Sequence, residues 1–343
     1  MPGYHSPQVD VPVRLNTNES PFAPPASFVN ALVAQLSDVS WNRYPDRKAT
    51  RLCSAIADRH GVSPSEVFVA NGSNEVLQTI LIAYGGAGRS VLVNEPGYQM
   101  HVQIAKVTGA QVHTVARRGD FTVDEDAFVD ALRQRTPHVV FLTSPNNPTG
   151  LCDPEHLIDL ALVESDAVVV VDEAYAEFGR WSALDRPLHD RVVITRTFSK
   201  TWSMAAARLG YAISTTAMVD SLWTTALPYH LDSVKQLAGV LALRFTDEMD
   251  ERVAAIKGER DRLISQLRSF GCVVVDSDAN FVLFEARRDT KDANSIWQEL
   301  VDRGVLVRNC SSWPGLEGWL RVTIGTPQEN DAFLGAMKEI THV

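Results

Sequence analysis

The chain has 343 residues, enough for one large α/β domain and a smaller one, and its 45% hydrophobic and 22% charged residues are the balance of a soluble globular protein. A formal net charge of -10 argues against a nucleic-acid-binding surface and against a polybasic membrane anchor. The N-terminus lacks a signal peptide's apolar core, and no apolar run approaches the ~20 residues that span a bilayer. Four scattered cysteines, Cys53, Cys152, Cys272 and Cys310, read as free thiols in a reducing compartment, so a cytoplasmic enzyme is expected.

Residues 1–25 are rich in proline and are expected to form an irregular arm or active-site loop around Leu15-Asn16-Thr17-Asn18-Glu19-Ser20-Pro21-Phe22. A helix follows, with Asp46 as its N-cap, Leu52, Ala55, Ile56 and Arg59 at helical spacing, and Gly61 as its stop. From Val67 onward short apolar strands alternate with helices. Strands are predicted at Val67–Ala70, Val91–Asn94, Gln111–Val115, Val139–Leu142, Val168–Val171, Val192–Thr195 and Tyr211–Ile213. Helices fit Asn74–Tyr84, Gln99–Thr108, Asp124–Gln134 and Pro154–Glu164. Strands that are apolar throughout imply a mostly parallel sheet covered on both faces, with ligands at the carboxyl ends of its strands.

After about residue 230 the texture changes. Lys235 to Phe270 suggests one or two long linking helices. Strands at Val273–Val275, Asn280–Glu285, Val305–Arg308 and Leu320–Ile324, with helices at Ala293–Asp302 and Gln328–Lys338, then fit a smaller α/β lobe. The expected division is an arm over 1–45, a large domain over 46–232, and linker helices with a small domain over 233–343.

Several strand ends carry chemistry. Lys200 follows the run Val192 to Ile194 in Thr197-Phe198-Ser199-Lys200-Thr201, and a lysine desolvated among positive charges has a lowered pKa that suits carbonyl chemistry. Ser199 and Arg208 are a hydroxyl donor and a fixed cation suited to a cofactor phosphate. Asn71-Gly72-Ser73-Asn74-Glu75 opens a helix whose amides suit an anion, or is an ordinary serine cap. Tyr98, in Glu95-Pro96-Gly97-Tyr98, offers a ring for stacking on a planar cofactor. The string Ser144-Pro145-Asn146-Asn147-Pro148-Thr149-Gly150 fixes a strand end with prolines and aims Asn147 from it.

Asp172 directly follows Val168-Val169-Val170-Val171, so its carboxylate needs a partner: a metal, a core arginine or a protonated ring nitrogen. No His or carboxylate cluster suggests a metal, and a pyridinium nitrogen fits better; Tyr175 then reaches the ring's hydroxyl. Arg308 and Arg321, in or beside small-lobe strands, are either structural ion pairs or anion receptors. The nine histidines show no metal spacing, with His101 and His230 as pocket walls.

In this order the segments resemble the fold-type-I pyridoxal-phosphate aminotransferases over nearly the whole chain, from Leu15 to about Leu334. Within that group the chain is similar to the histidinol-phosphate aminotransferase family. The strings that carry the resemblance are Leu-Asn-Thr-Asn-Glu at Leu15, Arg43-Tyr44-Pro45, Gly72-Ser73-Asn74-Glu75, Ser-Pro-Asn-Asn-Pro-Thr-Gly, Asp172-Glu173-Ala174-Tyr175, Ser199-Lys200, Arg208-Leu209-Gly210 and Leu320-Arg321-Val322-Thr323-Ile324-Gly325-Thr326. Leu227-Pro228-Tyr229-His230-Leu231 resembles the actinobacterial branch.

The resemblance implies that Lys200 is the Schiff-base lysine and then the base that moves a proton, that Asp172 pairs with the pyridine nitrogen, and that Asn147 and Tyr175 bond the ring oxygen. It implies that Tyr98 stacks on the ring, and that Ser73, Asn74, Ser199 and Arg208 hold the phosphate with Tyr44 from a neighbouring subunit, so that a homodimer is expected. Arg321, helped by Arg308, is implied to receive the carboxylate of glutamate and the phosphate of histidinol phosphate in turn, with Asn147 and Phe22 beside the substrate. The implied reaction is a ping-pong transamination, histidinol phosphate and 2-oxoglutarate giving imidazole-acetol phosphate and glutamate in histidine biosynthesis. Alternatives on the same frame are an aromatic amino-acid aminotransferase and a threonine-phosphate decarboxylase-like lyase. Two departures from the family pattern, Phe22 where tyrosine is usual and His101 where another aromatic is common, are both expected on the substrate side.

Overall fold

The computed structural model describes residues 8–285 and 292–341. Residues 1–7, 286–291 and 342–343, which fall in the expected arm and small lobe, lie outside the described residues. The arm is less irregular than its prolines suggest. Val13–Leu15 forms a strand, β1, and Ala26–Leu36 a helix, α1, that begins directly after Pro25, where a missing N–H costs no intrahelical bond. Helix α2 (Thr50–His60) ends at Gly61, whose φ of 67° is the left-handed conformation glycine adopts without strain. Its N-cap is Ala49 rather than Asp46. The Asp46 carboxylate instead accepts from the amides of Lys48 at 3.1 Å and Thr50 at 2.8 Å, closing the turn that leads into the helix.

The large sheet is built from β2 (Val67–Ala70), α3 (Ser73–Tyr84), β3 (Ser90–Glu95), α4 (Gln99–Val107), β4 (Gln111–Ala116), α5 (Glu125–Arg135), β5 (Val139–Thr143), α6 (Leu157–Glu164), β6 (Val168–Asp172), β7 (Val192–Thr197) and β8 (Gly210–Ile213). Strand order is β2-β8-β7-β6-β5-β3-β4, parallel from β7 to β4, with β8 antiparallel to both neighbours. Every residue of β5, β6 and β7 is buried, which is why these strands read as unbroken apolar runs. Alternation is still present in three dimensions: Val170 and Val193 face the core under α3, whereas Val169, Val171 and Ile194 face the core under α5 and α6.

Helices α7 (Thr216–Thr225), α8 (Ser233–Ala242) and α9 (Thr246–Ser269) lead to the second sheet. That sheet contains β9 (Val273–Val274), β10 (Phe281–Glu285), β11 (Val305–Asn309) and β12 (Leu320–Thr323), backed by α10 (Ala293–Asp302) and α11 (Pro327–Thr341). Its order is β1-β11-β12-β10-β9. The N-terminal strand is thus its edge, with Val13 opposite Val305 and Leu15 opposite Val307 in parallel register. The arm leaving β1 runs between the two sheets. Among the described residues no helix is long and apolar enough to cross a membrane.

Candidate active site

A cavity of about 330 Å³ lies where β5, β6 and β7 end, facing β12 across the arm. This is the size of a small-molecule site. Asn147, Asp172, Tyr175, Ser199, Lys200, Arg208, Ser73, Asn74, Tyr98 and Arg321 all line it. Arg308, Phe22 and Tyr44 do not. Arg308 sits opposite Arg321 in the β11–β12 register, with its guanidinium 5.3 Å from the centre of the Trp313 ring. Phe22 packs against the core beneath the arm. Tyr44 is exposed and stacks on Tyr229 at 4.7 Å.

Lys200 follows β7, and its ammonium donates to the Thr17 carbonyl at 3.3 Å. Burial, then the positive charges of Arg321 and Arg208, lower its pKa to about 7, against an opposing pull from Glu19. A substantial share of this amine is therefore unprotonated at neutral pH. Burial has the opposite consequence for the thiols: Cys53 is pushed up to about 12, and Cys152 and Cys310 to about 11, which leaves them protonated and inert.

Asp172 ends β6 and is buried. One carboxylate oxygen contacts His101 Nε2 at 2.9 Å, and the other accepts from Ala174 N at 3.2 Å and Thr195 Oγ1 at 3.3 Å. The imidazole of His101 stacks on Phe141 at 4.3 Å, so its ring plane is fixed. His101 therefore sits behind Asp172 and is not among the residues that line the cavity, whereas the sequence pattern points to the substrate side. Its signal in the sequence was its place three residues after Tyr98, whose ring meets the imidazole edge-on at 5.2 Å at the start of α4. Next to Asp172, Glu173 is buried against Arg196, with contacts of 2.7 Å and 3.0 Å, and also accepts from Ser182 Oγ and the Ala183 amide. This pair ties the end of β6 to β7 and so sets where Asp172 and Lys200 stand.

The other end of the cavity suits a phosphate. Helix α3 starts at Ser73 with its amides toward the site. Gly72 is required at φ 85°, and a Cβ there would stand 2.9 Å from Arg208 Nη2. At Gly210 a Cβ would collide with Ser73 N at 2.3 Å, so β8 can approach the helix start only as glycine. Arg208 Nη1 lies 3.4 Å from Ser199 Oγ, and Tyr98 Oη donates to Asn74 Oδ1 at 3.1 Å. Toward the small sheet, Arg321 donates to Asn147 Oδ1 at 2.5 Å and to the Asn16 carbonyl at 3.0 Å. Its guanidinium lies between Phe281 and Trp313, 5.2 and 5.9 Å from their ring centres, and its Nε has no hydrogen-bond partner among the described residues. Two fixed cations, Arg208 and Arg321, and the partly protonated amine of Lys200 thus share the cavity with the carboxylates of Asp172 and Glu19. The two guanidiniums are the groups suited to receive anions.

Residues 10–337 match the family described as aminotransferase class I and II. The chain belongs to that family. This aminotransferase is 46% identical to a histidinol-phosphate aminotransferase of Thermobifida fusca, over 98% of this chain and 92% of the relative. It is 45% identical to one of Frankia casuarinae, over 97% and 86%. Among solved structures, the histidinol-phosphate aminotransferase of Sinorhizobium meliloti in complex with pyridoxal-5'-phosphate superposes with a TM-score of 0.88 at 25% identity, covering 97% of this chain and 91% of that one. The fold is the fold-type-I pyridoxal-phosphate aminotransferase fold, and pyridoxal 5'-phosphate is the cofactor. The residues present fit it: the glycine-lined cradle at Gly72 and Gly210 admits a phosphate, and the depressed amine of Lys200 suits an aldehyde.

Proposed function

We propose that this aminotransferase transfers the amino group of histidinol phosphate to 2-oxoglutarate, giving imidazole-acetol phosphate and glutamate in histidine biosynthesis, in the cytoplasm and as a homodimer. The observation that carries the reading is the amine of Lys200, depressed to about 7 in a cavity that has an anion receptor, Arg321, on one side and a phosphate cradle on the other. The names and identities of the relatives support the same substrate.

Bound here, pyridoxal phosphate supplies an aldehyde and an electron-accepting pyridine ring. The chain's own groups do the rest. The amides at the start of α3, Ser73, Asn74, Ser199 and Arg208 hold the phosphate dianion, with Tyr44 of a second copy reaching it. Asp172, held by His101, keeps a proton on the ring nitrogen, because a buried carboxylate is stabilised by a cation beside it. Tyr98 would cover the ring, and Asn147 and Tyr175 would hydrogen-bond its oxygen. With the cofactor bound, Lys200 would be the base that moves the proton between the substrate's α-carbon and the cofactor's C4′. Arg321 binds the anionic end of either substrate, a carboxylate in one half-reaction and a phosphate in the other, and Arg308 behind it adds positive charge. The lobes divide this work, residues 46–232 holding the cofactor and 233–343 the substrate's anion, with the arm over 1–45 closing the cavity.

The test is an absorbance titration of the separate half-reactions. Histidinol phosphate is expected to convert the cofactor to its amine form at far lower concentration than phenylalanine, and glutamate to do so as the second donor. Preference for phenylalanine would make this an aromatic amino-acid aminotransferase. Release of CO2 without 2-oxoglutarate would make it a lyase.

A further inference from the structure

Three successive residues of the arm each touch a different side chain of the site. The Asn16 carbonyl accepts from Arg321, the Thr17 carbonyl from Lys200, and the Asn18 side chain contacts Tyr175. Asn18 is the most constrained of the three. It is 1% exposed, has φ 55°, and its carbonyl accepts from Asn280 Nδ2 at 3.2 Å. A left-handed backbone at a buried non-glycine residue persists only where the surroundings hold it.

One orientation of the Asn18 amide uses every proton of this cluster; a flipped amide would donate to Thr323 Oγ1 and leave that hydroxyl's own proton off Asn18. The backbone N–H of Asn18 lies 2.9 Å from Thr323 Oγ1 and can only donate, so the hydroxyl accepts there. The hydroxyl's single proton then goes to Asn18 Oδ1 at 3.1 Å. That fixes the amide's orientation and turns Nδ2 toward Tyr175 Oη, 3.0 Å away. An amide nitrogen has no lone pair to offer, so the phenol oxygen accepts on this side and its own proton is donated on another.

We propose that Asn18 is a positioning residue that fixes Tyr175 as a hydrogen-bond donor toward the oxygen substituent of the bound cofactor ring. Thr323, two residues beyond Arg321 on β12, sets Asn18 in turn. This inference rests on the cofactor reading above. A phenol that donates to that oxygen stabilises its deprotonated, anionic form, so the pH midpoint of the cofactor's absorbance change is held down.

The experiment is a pH titration of the visible absorbance of the holoenzyme. Asn18→Leu, which keeps the forked shape and removes the donor, is expected to raise the midpoint by about one pH unit. Thr323→Val, a substitution a buried strand accommodates, is expected to raise it in the same direction. Thr323→Ser, which keeps the hydroxyl, should leave it in place. If Asn18 acts through Tyr175, Asn18→Leu adds no further shift in a Tyr175→Phe background. An unchanged midpoint in both Asn18→Leu and Thr323→Val, or an Asn18→Leu shift that adds in full to that of Tyr175→Phe, would overturn the proposal. Should Asn18→Leu not fold, the contrast between Thr323→Val and Thr323→Ser decides it. A wild-type protein with no cofactor absorbance would instead overturn the functional reading itself.

Discussion

Lys200 sets reactivity against stability, since the burial that disfavours its charged form frees the amine for chemistry and costs folding free energy wherever the unfolded lysine is protonated. With a native pKa near 7 and an unfolded value near 10.5, the unfolded chain binds more protons across that window, so stability of the cofactor-free protein rises with pH there. Below pH 7 the penalty is present in full. Lys200→Met is therefore expected to raise the thermal midpoint of the cofactor-free protein at pH 7, with the gain fading toward pH 10, while activity falls at least ~100-fold. Thermal melts across pH with equal gains at both ends would refute the argument. His101 is the second test at this scale. His101→Phe keeps the stack on Phe141 but removes the contact to Asp172, leaving a buried carboxylate short of a partner. Cofactor affinity, measured by fluorescence quenching on titration, is expected to weaken about ten-fold. The sequence exposed Asp172 because it directly follows the unbroken apolar run Val168–Val171, and Lys200 because it stands a few residues beyond the shorter run Val192–Ile194 among small hydroxyl residues. It hid the partnership of His101 with Asp172, because a contact across 71 positions leaves no local pattern.

Among elements, the large sheet was legible wherever one strand was buried on both faces, as at Val168–Asp172 and Val192–Thr197, where every position is apolar or bears chemistry. The arm was not. Three residues at Val13–Leu15 gain their strand only by pairing with β11, nearly 300 positions away, so proline content misled the local reading. Asp46 failed as an N-cap for a related reason: a left-handed Ala49 moves the start of α2 beyond it. The link between β6 and β7 was equally invisible, because Glu173 and Arg196 show no helical or strand-neighbour spacing. It has a measurable consequence. Arg196 and Glu173 are both buried, and deleting one leaves the other's charge uncompensated. Glu173→Ala is expected to lower unfolding free energy by about 3 kcal/mol in urea melts, whereas the double change Glu173→Leu with Arg196→Met recovers much of it. A double variant no more stable than Glu173→Ala would show that shape, not charge pairing, dominates there.

At the scale of the whole molecule, one feature is out of place in a single copy. Tyr44 is 81% exposed, Leu227 78% and Trp41 73%, and Tyr44 stacks on Tyr229, so large apolar side chains crowd one surface. Tyr44 does not line its own chain's cavity. A second copy related by a two-fold axis would cover this surface twice over and bring each Tyr44 to the other copy's phosphate cradle. Complementation separates that arrangement from a role within one chain. On that arrangement Lys200→Ala alone lacks the amine, and Tyr44→Ala alone would lose a phosphate contact, lowering activity about ten-fold. In a mixed dimer the copy that retains Lys200 receives Tyr44 from the other, while the second site carries both defects. Refolding the two variants together is then expected to restore about a quarter of wild-type activity, because half the dimers are mixed and one site in each is intact. If Tyr44 served its own chain, no site in the mixture would be whole and activity would stay at the level of Tyr44→Ala diluted by an inert partner. Sedimentation of the same mixture fixes the number of copies on which the calculation depends.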